Sequence, residues 1–212
     1  MHTATDYLDS TESAVKQLFQ GIDSYLSVLR QASGITFITG TPFGPAHDVE
    51  FSAWKIANAN RLAKAREAES RFMAETFALD TLCGAVLQIA EKALEIYSIN
   101  NHIPTQLTGT VRRAQAKFCV GRTVRNVPLG LIIYAARNQH THFNDDALRE
   151  PSATVFQHLA TSHGYGGGGR IVDPAFDLSN PGLVSYASNV TALIEWRDYS
   201  QYISDMRDML GA

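Results

Sequence analysis

Arg137, Asn138 and His142 fall within six residues of one another, in the stretch AARNQHTHF that runs from Ala135 to Phe143. Together these three side-chain types can cut an RNA chain without a metal. Imidazole titrates close to neutrality, so a neutral ring can take the proton from a ribose 2′-hydroxyl. A guanidinium can clamp the phosphate in a bidentate way and stabilise the charge that builds on its oxygens. A carboxamide carries both a donor and an acceptor and can orient either the imidazole or the substrate.

Placed on a helix at about 100° per residue, this region separates into two faces. Leu129, Ile132, Ile133, Ala136 and Phe143 fall on one arc, which is expected to be buried. Tyr134, Arg137, Asn138, Thr141 and His142 lie on the opposite arc. His140 falls on the apolar side, where a core or boundary histidine with one satisfied hydrogen bond is expected. His140 and His142 therefore point in different directions. Asp145 and Asp146, the nearest carboxylates, lie beyond the expected helix end. No metal site is expected from this set.

The run RNQHTH resembles the R-N-x-x-x-H form of the R-x(4–6)-H signature of the HEPN superfamily, an all-α group. Many of its members are metal-independent endoribonucleases in toxin–antitoxin and anti-phage systems. The resemblance covers this motif and its helical setting. It implies that Arg137 and His142 are catalytic and that Asn138 is the polar residue following the arginine. It further implies RNA as substrate, no cofactor, and an antitoxin protein as a partner. It also implies a homodimer whose two motifs face one composite cleft and supply a second imidazole for the leaving oxygen.

Charge distribution adds an independent observation. Between Ile96 and Asn144 there is no Asp or Glu, whereas the same 49 residues hold Arg112, Arg113, Lys117, Arg122, Arg125 and Arg137. A segment of charge +6 thus sits inside a chain of net charge −3. Such a patch concentrates polyanions and binds phosphates in a salt-dependent way. Arg112, Arg113, Lys117, Arg122 and Arg125, with Tyr134 beside the motif, are the expected substrate-binding residues. Solvated or internally paired cations are the plainer alternative for the same stretch.

The elements that must position these residues are mainly helical. Apolar spacings of three and four, with few helix breakers, predict helices over about 5–32, 48–98, 126–142, 151–162 and 182–209, the more polar first half of the second expected to project or break near residue 70. Gly34 is expected to stop the first, Asp48 to cap the second and Asn126 the third. GITFITGTPFGP, near residues 34–45, is expected to be an ordered loop or a small β-hairpin. The run of glycines in HGYGGGGR reads as a loop, with Tyr165 and Arg170 as further RNA contacts or simply as a linker. The expected architecture is all-α: one domain, 1–212, an irregular bundle of long helices.

Composition narrows the function classes. Cys83 and Cys119, without a CxxC, cannot build a thiolate zinc site or a disulfide framework, so a reducing cytoplasm is the expected setting. The polar start MHTATDYLDSTES lacks the features of a signal peptide, and VPLGLIIYAA is about half the length needed to cross a bilayer. No Walker loop, dinucleotide fingerprint or G-x-S-x-G elbow is present. The expected function is a metal-independent endoribonuclease. The alternative is a non-catalytic helical module that binds RNA, a nucleotide or a protein, and a third is an assembly protein using the long 48–98 helix.

Overall fold

The computed structural model describes residues 3–32, 35–144, 147–162 and 172–212, with side chains at all of these except 28–32 and 72–74. Gly34, Asp145, Asp146 and the glycine run with Tyr165 and Arg170 lie outside the described residues. The fold is mostly helical with one two-stranded hairpin. Seven α-helices are described: α1 (Ala4–Ala32), α2 (Pro45–Ala57), α3 (Ala59–Tyr97), α4 (Leu129–Thr141), α5 (Ser152–Thr161), α6 (Ala187–Leu193) and α7 (Tyr199–Leu210). Two 3₁₀ turns, Thr105–Leu107 and Arg113–Phe118, precede the antiparallel strands β1 (Thr123–Val124) and β2 (Val127–Pro128). No single helix among the described residues is long and apolar enough to cross a membrane.

The chain divides into two compact units, Met1–Gly21 with Leu79–Ala212, and Ile22–Ala78. In the first, α4 is the central element and packs against α5, α6, β2 and the second 3₁₀ turn. Eight of its thirteen residues are buried, Leu131, Ala135 and Gln139 among them as well as Ile132, Ile133 and Ala136. Leu87 and Leu94 of α3, Phe156 and Leu159 of α5, Val190 of α6 and Met206 of α7 join the same core. Close approach is built in at Gly130, where a Cβ would lie 2.6 Å from the Phe118 carbonyl oxygen. At Gly84 a Cβ would meet the His140 ring at 2.2 Å. The glycine that interrupts the long apolar pattern is the seat of that imidazole.

In the second unit, α2 carries no buried residue. Its aromatic rings instead pack on one another and on the preceding loop. Phe37 and Phe51 centroids are 5.2 Å apart, Phe51 and Trp54 6.1 Å, and Phe43 and His47 4.6 Å. Thr39 and Thr41 donate hydroxyl hydrogen bonds to the Glu50 carboxylate at 2.6 and 2.8 Å. These bonds hold the Glu50 carboxyl below its ordinary value.

Several element boundaries differ from the expectation. Residues 35–44 form an irregular loop, and the hairpin occurs at 123–128 instead. Arg125 and Asn126, at φ 47° and 66°, form its two-residue turn. Positive φ at both positions is what a type I′ hairpin demands, and asparagine suits it. Asn126 is consumed by that turn, so α4 starts at Leu129 after Pro128. Asp48 does not cap the second helix. α2 begins at Pro45 after Gly44, and the long helix breaks at Asn58, whose side-chain amide bonds back to the Trp54 carbonyl at 2.9 Å. The last helix is also two. Glu195 is left-handed at φ 62°, and Asp198 restarts the chain as α7 by accepting from the Ser200 and Gln201 amides.

Candidate functional site

Helix α4 presents Tyr134, Asn138 and His142 one turn apart along a single line. The Tyr134 ring lies 4.5 Å from Phe118, and its hydroxyl accepts from Gln115 Nε2 at 3.2 Å. Asn138 Nδ2 approaches Ser152 Oγ at 3.4 Å, at the start of α5. His142 is the C-cap of α4 and is exposed, its amide bonded to the Asn138 carbonyl at 3.0 Å. These residues line one cleft of about 320 Å³, together with Arg149, Glu150 and Ser152. Glu150 Oε2 accepts from the Thr154 amide at 3.2 Å, which fixes that carboxylate at the first turn of α5. On the other side of His142 a second cleft, of about 630 Å³, is walled by Gln139, Phe143, Leu178, Val184 and Tyr186.

Arg137 occupies a different position. It is half-buried, donates from Nε to Gln88 Oε1 at 2.8 Å and from a terminal nitrogen to Asn138 Oδ1 at 3.1 Å. Its charge also acts on Glu91 of α3, whose carboxyl is pushed up by burial and drawn partly back by Arg137. Arg137 does not line the cleft. It stands behind Asn138 and ties α4 to α3, so its reach to a phosphate in the cleft runs through the Asn138 amide.

Comparison with known protein families, with curated proteins and with solved structures finds no match.

The basic segment divides sharply. Arg112 and Arg113 are exposed and make no ion pair among the described residues. Lys117 donates from Nζ to the Glu95 carbonyl at 2.7 Å, at the end of α3. Arg122 forms a two-point pair with Asp205, both contacts 3.1 Å, and donates to the Ile194 carbonyl at the end of α6. Trp196 Nε1 adds a 2.8 Å hydrogen bond to the same carboxylate. Arg125 pairs with Asp173 at 2.8 Å, stacks 4.8 Å from the Phe176 ring and donates to the Leu159 carbonyl near the end of α5. Three cations thus satisfy orphan carbonyls at three helix C-termini, where positive charge is favoured. This corrects the expectation for Arg122 and Arg125: their partly exposed guanidiniums are engaged by carboxylates and carbonyls of the chain itself. The anchor on Arg125 also accounts for a non-glycine residue held at positive φ.

His140 sits where its helical phase puts it. Its Nδ1 lies 2.9 Å from Ser185 Oγ, and burial pushes its pKa down against the opposing charge of Asp80. Phe143, expected on the buried arc, is 37% exposed because the helix ends at Thr141. Among the described residues, no group of three or more His, Cys, Asp or Glu could hold a metal ion.

Sequence reasoning missed Gln88, Arg149, Glu150 and Ser152. Arg149 and Glu150 carried a signal, as a charged pair directly before Pro151 and the expected start of α5. Gln88 and Ser152 had none, since only packing sets them beside Arg137 and Asn138.

Proposed function

We propose that the cleft at the end of α4 is a metal-independent endoribonuclease site of the HEPN type, acting on RNA by 2′-hydroxyl attack. The observation that supports it is an exposed imidazole, an oriented carboxamide and a guanidinium on one cleft, at His142, Asn138 and Arg149. His142 is the proton-transfer residue. Asn138, held from behind by Arg137 and from the side by Ser152, orients the scissile linkage. Arg149 faces the phosphate oxygens as charge develops on them. Arg112, Arg113 and Lys117 draw the polyanion toward the chain. Cleavage leaves a 2′,3′-cyclic phosphate and a 5′-hydroxyl.

Purified protein incubated with total RNA, with the ends mapped, tests this reading. His142→Ala is expected to abolish cleavage and Arg137→Ala to reduce it at least about a hundredfold. Both should leave the helical circular dichroism unchanged, and EDTA should have no effect. Loss of activity in EDTA would sink the mechanism.

The position of Arg137 favours a second reading, a binding module without chemistry, because that guanidinium is engaged by Gln88 and Asn138. RNA bound but never cut, with affinity unchanged in His142→Ala, would establish it.

A further inference from the structure

Transesterification of RNA needs two proton transfers, one from the attacking 2′-hydroxyl and one to the leaving 5′-oxygen. One imidazole in a cleft does only half of this. A second proton-carrying group must come from the same protomer or from another copy. The cleft that holds His142 also holds one carboxylate, Glu150. Its placement is not casual. The hydrogen bond from the Thr154 amide to Oε2 fixes the side chain, while Oε1 has no partner among the described residues. An ionised carboxylate retains lone pairs on both oxygens. Arg149 precedes it and lines the same cleft, so a base and a cation for the phosphate come from adjacent residues.

We infer that Glu150 and His142 form the general base and general acid of a complete active site within one protomer. This rests on the ribonuclease reading and assigns its proton transfers. Glu150 takes the proton from the 2′-hydroxyl as O2′ bonds to phosphorus. The bond from phosphorus to O5′ breaks, and the His142 imidazolium gives its proton to O5′. The products are a 2′,3′-cyclic phosphate and a 5′-hydroxyl, with Glu150 left protonated and His142 neutral. Exchange with water restores both. A carboxylate offers acceptors and no donor, which suits the base role. An imidazolium offers N–H donors and no acceptor, which suits the acid role. The roles are thus divided by chemistry, and a second imidazole from a partner copy is not required.

The full chain tests this on two dinucleotides, one with the natural 5′-oxygen and one with sulfur bridging at that position. A thiolate leaves without being protonated, so the second substrate needs no acid. Glu150→Gln keeps an acceptor for the Thr154 amide and should fold. It is expected to slow cleavage of both substrates by about a hundredfold or more. His142→Ala should slow the natural substrate similarly, yet cut the sulfur-bridged one within about tenfold of the unmodified protein. Mixing the two variants should restore nothing, since each protomer lacks one half of its own site. Glu150→Gln cutting at full rate, failure of sulfur to rescue His142→Ala, or recovery on mixing would each overturn the assignment while leaving the ribonuclease reading in place. If the unmodified protein cuts neither substrate nor total RNA, that reading fails and the assignment falls with it.

Discussion

Helices α2 and α4 are each thirteen residues long, and each carries seven apolar residues. In α4 eight positions are buried; in α2 none is. Val49 and Ile56 of α2 are 70% and 78% exposed, whereas Ile132 and Ile133 of α4 are fully enclosed. Apolar content therefore states a demand for burial but does not say whether the chain itself can meet it. α4 meets it because four other elements close around it. The rings of α2 meet part of it among themselves, with Lys55 Nζ 4.6 Å over the Phe51 ring. The cleft lies at the end of the enclosed helix, where a rigid element holds its side chains in one geometry.

Matched substitutions sharpen this contrast. Ile133→Ala should cost about 2–5 kcal/mol in urea denaturation, as for other fully buried aliphatics. Ile56→Ala should stay within about 0.5 kcal/mol. Equal costs would mean that α2 is covered in solution. Glycines offer a second pair. Gly84→Ala drives a methyl into the His140 ring and should cost about 1–3 kcal/mol. Gly40→Ala, with nothing within 4 Å of its Cβ, should be close to neutral.

Cations of the basic segment give a third pair. Arg122→Ala leaves Asp205 with Trp196 as its one side-chain donor among the described residues and should cost about 1–2 kcal/mol, less than a fully buried pair because the arginine side chain is 36% exposed. Arg113→Ala should leave stability unchanged while weakening RNA binding at low salt, read by fluorescence anisotropy.

The smallest expected effect concerns pH. Burial lowers the pKa of His140, so the folded chain takes that proton less readily than the unfolded one. Stability from this group is complete above the ordinary imidazole value of about 6.5 and declines as pH falls through the lowered one. Thermal unfolding between roughly pH 7 and 5 should show this slope, and His140→Gln should flatten it.

Much of α4 was legible in the sequence. Its helical phase put Ile132, Ile133 and Ala136 inside, His140 at the boundary and Tyr134, Asn138 and His142 along one line. Periodicity could not show that Leu131, Ala135 and Gln139 are buried too, because it assumes one covered face. Gln139 is held from the far side, donating to the Val184 carbonyl and accepting from the Tyr186 amide, both at 3.0 Å. The break at Asn58, twelve residues before the one expected near residue 70, was hidden because no proline or glycine marks it, and the break at Glu195 because the apolar spacing runs through it. Asp198 was visible as a polar residue, but its capping role depends on the chain having already turned at Glu195.

Residue order alone determined the helical character, the faces of α4 and the gathering of Arg137, Asn138 and His142 on one short element, because these depend on spacing along a single helix. Only the tertiary structure decided which cations remain at the surface and which hold helix ends. It alone turned Arg137 toward Gln88 and set Arg149 and Glu150 on the cleft that His142 lines. Those outcomes depend on which carbonyls and carboxylates arrive from distant parts of the chain, and local pattern carries no record of that.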